Sequence, residues 1–137
     1  MEKQKYAAIV LAAGSGKRMN SKVHKQYLII QDRPVLYYSL KAFEDSAVDE
    51  IVLVVGKGEE KFCRKEIVDK YGISKVKAIV EGGKERYHSV FEGLKQTSDA
   101  DYVLIHDGAR PFVNQEIIRR CMLEVPEYQA CVVGMPV

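Results

Sequence analysis

Three short segments of this chain combine glycine with positively charged side chains. They read GSGKRM from Gly14, EGGKER from Glu81 and HDGARP from His106. Glycine lets successive backbone N–H groups turn towards one anion, and lysine or arginine adds fixed positive charge, so each segment could hold a phosphate group. Any one of them alone could equally be a tight turn with solvated cations. Phosphate binding is therefore indicated only if the fold brings the three segments together.

The third segment also contains a carboxylate in an unusual place. Asp107 comes just after the apolar run Tyr102–Ile105, where a charged group is costly to hold unless it is paired or binds a metal. A Mg²⁺ ion bound to a nucleotide phosphate would stabilise it there. The alternatives are that Asp107 caps a helix or forms an ion pair with Arg110.

The first glycine segment matches neither of two well-known phosphate-binding loops. The dinucleotide pattern GxGxxG requires glycine where Met19 stands. The Walker A pattern requires glycine in place of Leu11 and serine or threonine in place of Arg18. A different kind of nucleotide loop is indicated.

Apolar runs alternate with helical patterns along the whole chain. The predicted strands are Tyr6–Leu11, Ile51–Val55, Val76–Val80, Tyr102–Ile105 and Ala130–Val133. The first predicted helix begins at Pro34. The second has Cys63, Ile67 and Tyr71 on one face and ends at Gly72. The third contains Val90 and Leu94, and the fourth spans Asn114–Val125. This alternation predicts an α/β fold with a doubly wound, mainly parallel sheet. The three glycine segments then leave one edge of the sheet, where ligands of such folds bind.

The composition limits the class of protein. The chain has 137 residues, 47% hydrophobic and 29% charged, which predicts one globular domain over residues 1–137. A formal net charge of +2 favours a small polyanion and argues against nucleic acid. The longest apolar stretch, Tyr6–Ala13, is too short to cross a membrane. The three cysteines of the chain show no CxxC spacing, so we expect neither a zinc site nor a disulfide framework. This use of cysteine also favours a cytoplasmic location.

Four motifs together resemble one enzyme family. In order and spacing, LAAGSGKRM, HKQYL, GGKERYHSVFEGL and HDGARPF resemble the 2-C-methyl-D-erythritol 4-phosphate cytidylyltransferases of non-mevalonate isoprenoid synthesis, over Tyr6 to Val137. The resemblance implies a Rossmann-like nucleotidyltransferase fold. It implies transfer of CMP from CTP to methylerythritol phosphate with release of pyrophosphate, and Mg²⁺ as cofactor. The family's pattern continues beyond Val137, so we expect an amino-terminal portion of an enzyme that is a homodimer when complete.

The resemblance also assigns roles to individual residues. Arg18 and Lys25 would be catalytic, because they would stabilise charge on the transferring phosphate, and Asp107 would hold Mg²⁺. The residues that would bind the substrates are Ala12, Ala13, Gly14, Ser15, Gly16, Gly82, Gly83, Arg86, Ser89, Gly108, Ala109 and Arg110. Taken in isolation, Ser89 is instead expected to cap the helix that follows the second glycine segment.

Two details depart from the family's pattern, and two other functions remain open. His24 stands where the family has proline before the lysine, and Gly108 replaces a commoner alanine. A ribitol 5-phosphate cytidylyltransferase is the nearest alternative, but such enzymes tend to read AGGxGxR and HDAVRP, so Ala13 and Ala109 favour the first interpretation. The other alternative is a CTP-binding fragment without turnover.

Overall fold

The computed structural model describes residues 5–12, 29–30, 33–83, 85–97, 99–107, 115–128 and 130–133. The strands are β1 (Tyr6–Ala12), β2 (Ile29–Ile30), β3 (Arg33–Pro34), β4 (Glu50–Val55), β5 (Val76–Glu81), β6 (Tyr102–Asp107) and β7 (Ala130–Val133). The helices are α1 (Val35–Glu44), α2 (Glu60–Cys63), which continues as a π-helix over Arg64–Asp69, α3 (Arg86–Lys95) and α4 (Gln115–Tyr128). Each of these helices is too short or too polar to cross a lipid bilayer.

A parallel sheet forms the centre of the described part of the chain. Its five strands follow the order β5-β4-β1-β6-β7, and every neighbouring pair is parallel. The short strands β2 and β3 form a separate antiparallel ribbon. From β1 the chain builds outwards through β4 to β5, and then resumes with β6 and β7 on the other side of β1. The order therefore reverses between β1 and β6, which is where open α/β sheets place their ligand crevice.

Helices cover both faces of this sheet, as the doubly wound prediction requires. On one face, Leu36, Leu40 and Phe43 of α1 recur at helical spacing and are buried with residues of α2 and α4. On the other face, Val90 of α3 packs against a buried cluster that includes Ile9. Strands β1 and β4 are apolar along nearly their whole length because both of their faces are covered.

Helix α3 packs against the sheet at a glycine, Gly93. A Cβ atom on Gly93 would come within 2.7 Å of Ile9 Cγ2 and 3.3 Å of Val54 Cγ2, so no larger residue fits there without movement. The outer side of the same helix exposes Tyr87 and Phe91. The close contact at Gly93 therefore packs the last turn of α3 against β1 and β4.

Two element boundaries differ from the sequence predictions. Pro34 was expected to be the first helical residue, but it pairs with Ile29 as the last residue of β3, and α1 begins at Val35. Proline fits there because a two-stranded ribbon leaves the outer side of each strand free of ladder bonds. Strand β6 runs beyond Ile105 to Asp107, because the ladder with β1 continues to the pair Leu11–Asp107.

Two helices also differ in detail. The helix around Cys63 changes to π-helical geometry after that residue, which leaves Tyr71 in the following turn. Gly72 ends it as predicted, with φ +66°, and Ile73 N–H donates to the Val68 carbonyl at 2.9 Å. Helix α4 begins one residue after the predicted Asn114 and extends past Val125 to Tyr128.

Candidate active site

The carboxyl ends of four parallel strands bring three of the predicted site residues to one edge. Ala12 is the last residue of β1, and Asp107 is the last residue of β6, in register with Leu11. Gly82 follows β5, and its N–H donates to the carbonyl of Val55 at the end of β4, at 2.8 Å. The convergence predicted from the sequence is confirmed for Ala12, Gly82 and Asp107.

The second glycine segment folds back onto the first turn of α3. A Cβ atom on Gly83 would lie 2.3 Å from Cβ of His88 and 2.9 Å from its Cγ, so this position has no room for a side chain. Glu85 N–H donates to Nδ1 of His88 at 3.3 Å, and His88 N–H donates to the Glu85 carbonyl at 3.1 Å. Glu85 is therefore the cap of α3, and His88 holds it in place.

Ser89 lies inside α3 and does not cap it, so the prediction from Ser89 in isolation is wrong. The bonds between Glu85 and His88 occupy the helix start, and Ser89 falls four residues beyond the cap. Ser89 is buried, with 4% of its surface exposed, and in the described part of the chain its hydroxyl makes no hydrogen bond.

The Asp107 carboxylate fits a metal ion that arrives with a phosphate ligand. Asp107 is half-buried at the crevice between β1 and β6. Among the residues that the structure describes, no three His, Cys, Asp or Glu side chains come together as a complete metal site. Mg²⁺ is commonly held by one or two carboxylates and by substrate phosphates, and rarely by protein ligands alone. One carboxylate at this edge matches that donor set.

The other predicted site residues lie outside the described residues, so their roles stay predictions. They are Ala13, Gly14, Ser15, Gly16, Arg18, Lys25, Gly108, Ala109 and Arg110. Arg86 is described as the first residue of α3, directly after the cap at Glu85.

The sequence reasoning missed a buried polar contact behind this edge. His106 is fully buried, and its Nε2 lies 3.1 Å from the hydroxyl oxygen of Ser39 in α1, which is also fully buried. The His106 ring packs against Phe43, with 5.7 Å between ring centroids. One signal was available, because Ser39 is three residues after Leu36 and four before Phe43, on the apolar face of α1.

Open parallel α/β sheets, nucleotide-binding proteins among them, bind their ligands in the crevice where the strand order reverses, and Asp107 lies at that point. The family model described as 2-C-methyl-D-erythritol 4-phosphate cytidylyltransferase matches residues 6–137. The chain therefore belongs to this family, as the motif resemblance indicated.

Two curated relatives and one solved structure show the extent of the likeness. Proteins named 2-C-methyl-D-erythritol 4-phosphate cytidylyltransferase from Lachnoclostridium phytofermentans and Lachnospira eligens are 54% and 53% identical, over 96% and 95% of this chain. The chain spans 57% of the length of each. A crystal structure of 4-diphosphocytidyl-2C-methyl-D-erythritol synthase from Anaerococcus prevotii is 32% identical, with a TM-score of 0.73, over 89% of this chain and 51% of that one.

Proposed function

We propose that this chain binds CTP with Mg²⁺ at the carboxyl ends of β1, β4, β5 and β6, for transfer of CMP to 2-C-methyl-D-erythritol 4-phosphate. The observation that supports this most directly is the position of Asp107 beside Leu11, at the point where the strand order reverses. Membership of the family supports the choice of CTP and of the acceptor.

The reaction needs no nucleophile from the protein. A phosphate oxygen of the acceptor attacks the α-phosphorus of CTP, a new P–O bond forms, and the bond to the β-phosphate breaks to release pyrophosphate. Catalysis then rests on holding both substrates in line and on stabilising the charge that develops at the α-phosphorus. Arg18 and Lys25 are proposed for that stabilisation.

The nucleotide would lie between the first and second glycine segments, GSGKRM and EGGKER. Ala12 and the residues that follow it, Ala13–Gly16, would surround the triphosphate with backbone N–H groups. Gly82 and Gly83 would allow close approach of the base and ribose, and Ser89, which is buried in α3, would contribute its hydroxyl to the same pocket. Arg86 and the segment Gly108–Arg110 would complete the pocket.

Asp107 would hold Mg²⁺ together with phosphate oxygens of CTP. When bound, the ion supplies positive charge that offsets the negative charge of the triphosphate. Asp107 itself fixes where that charge lies, because the ladder with β1 holds its backbone beside Leu11.

The test measures pyrophosphate release from CTP and Mg²⁺ with methylerythritol phosphate or ribitol phosphate as acceptor, together with CTP binding by calorimetry. Turnover with methylerythritol phosphate is the expected result, and Asp107→Asn is the matched control that removes one charge at constant size. Turnover with ribitol phosphate alone would replace the proposed acceptor. Binding without turnover would restrict the proposal to the nucleotide site, and absence of CTP binding would overturn it.

A further inference from the structure

We propose that His88 is a positioning residue for nucleotide binding, because its side chain holds the backbone of the second glycine segment at Gly83 and at Glu85. The inference rests on the proposed function, in which Gly82 and Gly83 approach the base and ribose of CTP.

The first part of this segment is tied to the sheet. Gly82 N–H donates to the carbonyl of Val55 at 2.8 Å, and the Glu81 carboxylate accepts a hydrogen bond from Gly58 N–H at 2.7 Å. Val55 and Glu81 are register partners at the ends of β4 and β5. These bonds hold the segment as far as Gly82, and Gly83 is exposed beyond that point.

The imidazole of His88 lies against the segment where these bonds to the sheet end. A Cβ atom on Gly83 would be 2.9 Å from Cγ of the imidazole and 3.3 Å from its Nδ1, so the ring lies beside the Gly83 backbone. The same Nδ1 accepts a hydrogen bond from Glu85 N–H at 3.3 Å. One side chain thus contacts Gly83 and holds the peptide N–H two residues further on.

Helix α3 in turn holds His88 in place. The N–H groups of His88 and Ser89 both donate to the Glu85 carbonyl, at 3.1 and 3.2 Å, in the first turn of the helix. The Tyr87 ring packs against the imidazole, with 4.2 Å between ring centroids. The last turn of the helix packs on the sheet at Gly93. A helix fixed on the sheet therefore restrains the imidazole, and the imidazole restrains the glycine segment.

Restraint of the backbone matters at this segment because glycine has no side chain. Any contact from Gly82 or Gly83 to a nucleotide comes from backbone atoms. A backbone that is ordered before the ligand arrives loses less conformational freedom on binding, which raises affinity. A looser segment should therefore weaken CTP binding without any contact between His88 and the nucleotide.

The test compares His88→Ala and His88→Gln with the unaltered full chain. His88→Ala keeps the Cβ atom beside Gly83 but removes the ring and its nitrogen acceptor. His88→Gln supplies an amide oxygen at the third residue of α3, where glutamine side chains commonly bond back to the N–H of the cap residue. Gly93→Ala is the control, because it strains the last turn of the same helix and leaves the bonds of the first turn in place.

Three quantities are measured for each protein: exchange of the Glu85 amide hydrogen by NMR without nucleotide, CTP affinity by calorimetry with Mg²⁺, and thermal unfolding. We expect His88→Ala to speed exchange at Glu85 and to lower CTP affinity by about 3- to 10-fold, the range that one hydrogen bond typically contributes. We expect His88→Gln to recover most of both effects. Gly93→Ala should lower thermal stability and keep both the CTP affinity and the exchange rate at Glu85.

Three results would overturn the inference, and they are distinguishable. If His88→Ala lowers thermal stability and speeds exchange but keeps the CTP affinity, His88 only caps the helix, and the proposed function stands. Equal losses of CTP affinity in His88→Ala and Gly93→Ala would assign the effect to general stability. If the unaltered chain binds no CTP, the proposed nucleotide site fails, and the role of His88 fails with it.

Discussion

Leu11 and Asp107 are the last register partners of the ladder between β1 and β6. The pair lies where the strand order reverses, and the chain continues from β1 through Ala12 into the first glycine segment. The Asp107 carboxylate and the segment that follows Ala12 therefore leave neighbouring strands at the same level. That relationship makes Asp107 the side chain whose change should affect metal dependence most directly.

Substitution of Asp107 by asparagine should remove most of the dependence of CTP binding on Mg²⁺. The amide keeps the size of the side chain but loses the charge that a hard divalent cation prefers. Turnover should fall by about 10²–10³, the effect typical of losing one charge-stabilising group. The measurement is a Mg²⁺ titration of CTP binding and pyrophosphate release, and an unchanged Mg²⁺ dependence would remove Asp107 from the site.

Substitution of Arg18 or Lys25 by alanine should lower turnover without unfolding the protein. Both side chains are proposed to stabilise charge on the transferring phosphate, and loss of one such group typically costs about 10²–10³ in rate. Thermal unfolding should be unchanged in each variant. A variant with nearly the original rate would show that its side chain takes no part in the reaction.

Substitution of Gly83 by alanine should weaken CTP binding through His88. The added Cβ would meet His88 Cβ at 2.3 Å, so the start of α3 must shift and the bonds between Glu85 and His88 must lengthen. Overpacking of this kind costs about 1–3 kcal/mol. Calorimetry with CTP and urea unfolding should both register the change.

Gly93→Ala is the matched control for this substitution. Its Cβ would crowd Ile9 in the middle of the sheet face, so stability should fall by about 1–3 kcal/mol while CTP affinity stays constant. Equal losses of CTP affinity in both variants would show that the effect of Gly83 is one of general stability.

Glu44 should make the stability of the protein depend on pH. Burial disfavours its charge, but hydrogen bonds from Ser74 and Lys75 to the carboxylate outweigh this and lower the pKa of Glu44 below 4.5. The bonds tie the end of α1 to the segment before β5. Because the folded-state pKa is lowered, the contribution is complete above pH 4.5 and is lost as pH falls through the folded-state value.

Glu44→Gln should therefore destabilise the protein at neutral pH by about 1–3 kcal/mol, and less at acidic pH. Urea unfolding at successively lower pH measures the difference between the two proteins. Glu92→Gln is the control, since its exposed ion pair with Lys95 should contribute under about 1 kcal/mol. A difference between Glu44→Gln and the original protein that persists at low pH would contradict the argument.

The sequence by itself determined the elements and the edge at which they meet. Uninterrupted apolar runs such as Ile51–Val55 indicate strands covered on both faces, and Gly72 indicates a helix end, because both signals depend on local chemistry. The alternation of strand and helix then requires a parallel sheet and brings Ala12, Gly82 and Asp107 to one edge. The motifs also identified the family.

Only the tertiary structure decided which side chains work together at that edge. The hydrogen bond between Ser39 and His106 spans 67 residues. Helical periodicity indicates that Ser39 faces the core, but it does not indicate the partner. The need for glycine at position 83 depends on His88, because His88 of α3 occupies the space that a side chain at this position would fill. Ser89 does not cap α3 as expected, because the N-cap residue of this helix is Glu85. Local patterns report the backbone preferences of neighbours in sequence, whereas burial and hydrogen-bond partners are set by how distant elements pack.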